Sequence, residues 1–166
     1  MRDTRPLDQI DRRILEILQD DGRISNHRLS ELVNLSPSAC LARVRRLESD
    51  RVITGYRAQV DAAKIGPSLT VFAELTLSRN NIESTEEIEA ALVELPELTE
   101  AWEVSGRYDI LARFLVPDME RWTQLAAELA GRDIAVETVR TVLAVKRIKL
   151  FSGVHASFGR TSGTGS

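Results

Sequence analysis

The chain has 166 residues, 43% of them apolar, and a formal charge of −3, which gives room for one ordinary domain or two small ones and excludes a uniformly basic nucleic-acid coat. Charge is uneven: residues 1–57 hold 11 Lys+Arg against 9 Asp+Glu, a net of +2, and residues 58–166 hold 11 against 16, a net of −5. Cys40 is the only cysteine, so an intrachain disulfide is excluded; with no leader and no apolar run of membrane length, the expected location is the cytoplasm, with no membrane partner.

Asp8 is placed to cap a first helix in which Ile10, Ile14, Ile17 and Leu18 recur at helical spacing, with Gly22 as its stop. Ser25 and Asn26 offer caps for a short second helix whose apolar stripe is Leu29, Leu32 and Val33. Asn34 and Leu35 make a tight connection into a third helix. There Ser36 is a good N-cap, Pro37 sits at the first helical position, and Leu41, Val44 and Leu47 are expected to face the core. Ser38, Ala42, Arg43, Arg45 and Arg46 are left on the other faces, a small, polar and arginine-rich surface suited to a major groove. The last two helices predict a helix-turn-helix with the first packed across them. Val52 to Arg57 is β-prone around Gly55 and predicts a small wing or the start of a linker strand.

The second half alternates strands and helices. Leu69 to Leu77 reads as a strand with Val71, Ala73 and Leu75 on one side. Ser84 and Glu87 form a capping box for a helix carrying Ile88, Ala91, Leu92 and Leu95, which Pro96 stops. Leu98 to Val104 and Ile110 to Val116 are two further strands around a Ser105 to Asp109 turn. Asp118 caps a helix whose buried stripe is Trp122, Leu125, Ala126 and Leu129. Val136 to Leu150 is a last strand region with an interruption near Ala144. The order βαββαβ predicts a ferredoxin-like sheet with both helices on one face. Apolar residues on both sides of Ile110 to Val116 predict that a partner chain covers the other face, hence a homodimer.

The fold class expected is therefore α+β, an N-terminal winged helix-turn-helix joined to a C-terminal ferredoxin-like βαββαβ domain. The expected boundaries are 1–56 for the DNA-binding domain, 57–68 for a linker, 69–151 for the second domain and 152–166 for a Gly/Ser/Thr-rich flexible tail. An enzyme is not expected. His27 and His155 are the only histidines, and neither metal-ligand spacing, a phosphate loop nor a nucleophile elbow occurs, so no metal or cofactor is expected.

Ordered along residues 7–150, the motifs Leu7-Asp8-Gln9-Ile10-Asp11-Arg12, Asp21-Gly22-Arg23-Ile24-Ser25-Asn26, Leu35-Ser36-Pro37, Cys40 to Leu47, Ile53-Thr54-Gly55-Tyr56, Val104-Ser105-Gly106, Tyr108-Asp109 and Val116-Pro117-Asp118-Met119 resemble the Lrp/AsnC, or feast/famine, transcriptional regulators of bacteria and archaea. The resemblance implies a winged helix-turn-helix followed by an amino-acid-sensing domain. It also implies homodimers that assemble further, commonly into octamers, and that wrap or bend operator DNA. Two positions depart from the family pattern: Ala39, where a second proline is frequent, and Arg107, where the sensing loop commonly carries an acidic residue.

On this reading the third helix lies in the major groove, with Ser38, Ala39 and Arg43 nearest the base edges. Ser36, Arg45, Arg46 and His27 would contact phosphates. The alternative for Arg45 and Arg46 is a solvated charge paired with Glu48 or Asp50. Two such helices per dimer imply a pseudo-palindromic double-stranded operator with half-sites about 34 Å apart or a multiple of it. For an amino-acid effector, backbone amides around Gly106 and Tyr108 would hold the carboxylate and Asp109 the ammonium, while Arg107 changes the charge of the loop. The resemblance adds Met119 and the segment Val142, Leu143 and Ala144. The structural alternatives are a turn-capping Asp109, a core Met119 and an ordinary strand at 142–144. An architectural DNA-binding protein that uses no ligand is the second functional reading.

Overall fold

The computed structural model describes residues 6–78, 85–131, 136–151 and 153–154. The described residues divide into two compact units, one built from residues up to 59 together with those from 149 onward, the other from residues 60–148.

In the first unit, α1 spans Gln9–Asp20, α2 Asn26–Leu32 and α3 Pro37–Ser49. Local chemistry sets all three starts. The Asp8 carboxylate accepts from the Asp11 N–H at 2.8 Å, and the Asp11 carboxylate accepts in return from the Asp8 N–H at 3.1 Å. Ser25 rather than Asn26 caps α2, its hydroxyl accepting from the Arg28 N–H at 3.2 Å. The Asn26 side chain instead donates to the Pro37 carbonyl at 2.8 Å and ties the start of α2 to the start of α3. Ser36 caps α3 through the Ala39 N–H at 3.2 Å, with Pro37 in the first turn. Asn34 turns the chain between α2 and α3 at φ 53°, a left-handed conformation that asparagine tolerates.

The core of this unit is Ile14, Leu29, Val33, Cys40 and Leu47, with Val44 packed at its edge. Two expectations for the stripes are corrected. Leu41 is exposed and Cys40 takes the buried place, because Cys40, Val44 and Leu47 follow i, i+4, i+7 and Leu41 lies about 100° away from Cys40 around the helix. Leu32 is exposed as well, since the short α2 buries Leu29, Ser30 and Val33. α1 also ends before Gly22: its last helical residue is Asp20, and the Asp21 N–H bonds to Ile17 O at 2.8 Å.

No strand forms between residues 51 and 68. Arg51 adopts φ 59°, and the Val52 and Ile53 N–H groups both donate to the Leu47 carbonyl, at 2.9 and 3.0 Å. Donors spent on ending α3 are unavailable for a ladder. Tyr56 then lies against Glu48, its hydroxyl donating to the carboxylate at 2.9 Å. Burial and that neighbouring charge push the Tyr56 pKa up to about 12.

In the second unit, a single-turn 3-10 helix at Ala62–Lys64 precedes β1 (Leu69–Leu77), α4 (Thr85–Val93), β2 (Leu98–Glu103), β3 (Ile110–Val116), α5 (Met119–Gly131) and β4 (Val136–Leu143). The sheet order is β2-β3-β1-β4, antiparallel throughout, which is the ferredoxin-like arrangement read from the sequence. Ser84 and its capping box lie outside the described residues. Asp118 caps α5, its carboxylate accepting from the Arg121 N–H at 2.8 Å. Val71, Ala73, Leu75, Ile110, Ala112, Phe114 and Val116 face Ile88, Leu92, Trp122, Leu125 and Leu129 from the two helices. Each large apolar side chain so buried contributes about 1.5–3 kcal/mol.

β4 ends at Leu143, short of the expected Leu150. It pairs Leu143 with Val71, and the Ala144 N–H makes a last bond to Thr70 O at 3.0 Å. β1 begins at Leu69, so no partner backbone remains beyond that point. The described residues from 149 onward belong to the first unit, where the Gln19 side chain both donates to the Val154 carbonyl at 3.0 Å and accepts from its N–H.

Candidate nucleic-acid interface and ligand site

The three-helix unit presents α3 in two zones. Around a helix at 100° per residue, Ser38, Ala42 and Arg45 sit opposite Cys40 and Leu47; all three are exposed, and Arg45 has no ion-pair partner among the described residues. Ala42, which the sequence placed on the groove-facing surface without a contact of its own, sits at the middle of that outward face, four residues from Ser38.

Ala39, Arg43 and Arg46 form a second line, at i, i+4 and i+7, on the flank beside the start of α1. There Arg43 Nη1 meets Asp8 Oδ2 at 2.6 Å and Asp11 Oδ1 at 2.8 Å, and Arg46 Nη2 meets Asp11 Oδ2 at 2.5 Å. Asp11 is fully buried, so both of its oxygens are occupied by guanidinium N–H groups as a buried carboxylate requires. The Asp11 N–H and the Arg43 guanidinium hold the Asp8 carboxyl at about 2, well below its ordinary range. Asp8, and then Asp11, raise the Arg43 pKa in return. The solvated partners expected for Arg46, Glu48 and Asp50, are not the ones it takes; Glu48 is engaged by Tyr56. Ser36 Oγ is occupied as a cap and lies 3.2 Å from Ser38 Oγ. His27 is exposed, with Nε2 at 3.3 Å from Glu31 Oε1.

In the second unit, a polar depression of about 330 Å³ is lined by Thr76, Leu77 and Ser78 at the end of β1, by Gly106, Arg107 and Asp109, and by Glu137 on β4. Gly106 has φ 150°, a conformation that suits glycine and turns the loop between β2 and β3. Asp109 anchors that loop. Its carboxylate accepts from the Leu77 N–H at 2.7 Å, its N–H donates to Leu75 O at 2.9 Å, and its carbonyl accepts from the Val104 N–H at 2.8 Å. Three of the residues expected at an effector site, Gly106, Arg107 and Asp109, are thus brought together, and the Asp109 carboxylate ties the loop to the end of β1 instead of capping its own turn.

The other expected site residues do not line this depression. Tyr108 is half-buried beside it, and Met119 is exposed at the start of α5 rather than in the core. Val142 and Leu143 are exposed on opposite faces of β4, and Ala144 follows its end. Sequence reading missed Glu137 and the Thr76–Ser78 strand end, since their approach to the Gly106 loop follows from the pairing of β1 with β4. Among the described residues, no helix is long and apolar enough to cross a membrane, and no cluster of three metal-ligating side chains occurs.

Residues 7–54 match the family model for winged helix-turn-helix DNA-binding, and residues 70–154 match that for the Lrp/AsnC ligand binding domain. The leucine-responsive regulatory proteins of Salmonella typhimurium and Escherichia coli K12 are each 43% identical over 148 residues, covering 89% of this chain and 90% of theirs. Among solved structures, an AsnC family regulator from Agrobacterium tumefaciens superposes with a TM-score of 0.83 at 30% identity, over 89% of this chain and 96% of that one. A transcriptional regulator from Neisseria meningitidis, solved as its L-Met complex, gives 0.82 at 28% identity, over 87% and 94%. With both halves matched in order, the chain belongs to the Lrp/AsnC family of DNA-binding transcriptional regulators, not to an enzyme family, and carries that family's ligand-binding domain.

Proposed function

We propose that this regulator binds a free amino acid at the Gly106 loop and that the bound effector changes its assembly or its affinity for DNA. The observation that carries this reading is the convergence of Gly106, Arg107, Asp109, the β1 end and Glu137 on one polar depression. An amino acid needs separated partners for its carboxylate and its ammonium group. Arg107 and the loop amides supply the first, and Glu137 with the remaining Asp109 oxygen the second. The L-Met complex of the Neisseria meningitidis regulator supports an amino acid as the ligand class. Met119 and Val142 to Ala144 fit this reading only as residues outside the depression that an assembled partner would bring to it.

The sheet face away from α4 and α5 supports a homodimer. Phe72, Leu111, Leu115 and Val142 lie there by strand register, beside Trp102 on β2, whose side chain is exposed. An octamer built from such dimers is the assembly we propose, working in the cytoplasm on a pseudo-palindromic operator. Ser36, Ser38, Ala39 and Arg45, with His27 on α2, form its DNA-facing set, and Ala42 joins them.

A thermal-shift panel of the twenty amino acids tests the sensing role. A ligand at a hundredfold excess over its Kd adds about 2.7 kcal/mol to stability. One clear hit that also alters a DNA footprint supports the reading. A silent panel beside intact, sequence-tolerant DNA binding favours the architectural protein instead.

A further inference from the structure

The sequence reading gives Arg43, Arg45 and Arg46 all to DNA, Arg43 to base edges and the other two to phosphates, yet the fold separates Arg45 from the other two. Arg43 and Arg46 share one flank of α3 and close on two carboxylates from the start of α1 within 2.5–2.8 Å. Asp11 is fully buried and Arg43 and Arg46 are largely covered, with side chains 27% and 29% exposed. Two guanidinium groups and two carboxylates sum to zero charge. A phosphate approaching this flank would meet the field of both carboxylates together with that of both arginines.

We propose that Asp8, Asp11, Arg43 and Arg46 form a charge-neutral fastener that sets the rotation of α3 against α1, and that Arg45 is the arginine of this motif that neutralises DNA phosphate. Arg43 and Arg46 are positioning residues, and Asp11 is the group that positions them. The fastener turns Ser38, Ala42 and Arg45 outward as one face, because fixing the 39–43–46 line fixes every other line of the same helix. This assignment rests on the DNA-binding reading of the helix-turn-helix.

The salt dependence of binding to a random-sequence DNA duplex tests it, since each phosphate neutralised adds about 0.9 to the slope of log K against log salt. Measured by fluorescence anisotropy on the full chain, Arg45→Gln is expected to lower the slope by about 0.9 for each α3 seated on the duplex. Arg43→Gln and Arg46→Gln are expected to leave the slope unchanged, whatever they do to affinity. Asp8→Asn keeps a competent N-cap on an exposed residue and so keeps the fold if an arginine variant does not. Arg43 keeps its contact with Asp11 in that variant, so the slope is again expected to match that of the wild type. A slope that falls with Arg43→Gln or Arg46→Gln as far as with Arg45→Gln overturns the assignment, as does an unchanged slope for Arg45→Gln or a steeper one for Asp8→Asn. Absence of salt-dependent binding by the wild-type chain would instead sink the DNA-binding reading itself, and the assignment with it.

Discussion

The Asp109 carboxylate and the Leu77 N–H, 32 residues apart, meet at 2.7 Å and fasten the β2–β3 loop to the end of β1. One oxygen of Asp109 is therefore spent on architecture before any ligand arrives. The same contact brings Gly106 and Arg107 beside Ser78 and Glu137. Under the proposed function, loop position and ligand response are linked through this one carboxylate.

Asp109→Ala is accordingly expected to do two things. It leaves the Leu77 N–H without its acceptor and lowers stability by about 1–2 kcal/mol. It also abolishes the thermal shift produced by the effector. Chemical denaturation and the ligand panel on the same variant measure both, and an unchanged ligand shift would return Asp109 to a structural role alone.

Acid sensitivity follows from Asp8. Its folded pKa is depressed to about 2 from an ordinary value of 3.8, first by the Asp11 N–H and then by Arg43. A depressed carboxyl contributes stability that is complete above its unfolded value and disappears as pH falls through the folded one. Wild type is expected to be more stable than Asp8→Asn above pH 3.8, with the difference closing as pH approaches 2. Urea titrations across that range check it; a gap independent of pH would remove the ionised carboxylate as its cause.

Trp122 is buried against Phe114, ring centroids 5.3 Å apart, and its Nε1–H donates to Thr141 Oγ1 on β4 at 3.0 Å. Trp122→Phe loses that bond and some packing volume, for an expected cost of about 1–3 kcal/mol. Thr141→Val loses the bond and keeps the shape, at about 1 kcal/mol. Equal costs for the two variants in denaturant melts would show that the indole contributes no packing beyond its hydrogen bond.

Gly153 is held at φ 99°, where an added Cβ would lie 2.5 Å from Gln19 Oε1. Gly153→Ala is expected to break the pairing of the Gln19 amide with Val154 and release Gly153 and Val154 from α1. Hydrogen exchange should then accelerate at Val154, with little change at Val71 or Phe114 in the other unit. Continued protection of the Val154 amide would mean that Gln19 can yield its place without losing the contact.

Much of the fold was legible because it is local. Asp8, Ser25, Ser36 and Asp118 each cap a helix through an N–H three residues away, and such spacing is visible in a sequence. Period-two burial in β1 and β3 was equally readable, down to Val71, Ala73 and Leu75. The candidate ligand loop was found through Gly106 and Asp109, but only half of its surroundings could be named. Glu137 and Ser78 reach it through strand pairing across dozens of residues.

By itself, then, the sequence determined where helices begin, which strand faces are apolar, the order of elements and the family they belong to. Tertiary structure decided which arginines of α3 are committed, because Asp11 meets Arg43 and Arg46 over 32 and 35 residues. It put Cys40 in the core in place of Leu41 and denied residues 52–57 a strand by directing two N–H groups to Leu47 O. It also ended β4 where β1 ran out of partners. The physical reason is the same throughout: a cap or an alternation is satisfied within one turn or one strand, whereas the partner of a buried charge or an edge backbone group is chosen by which elements pack together.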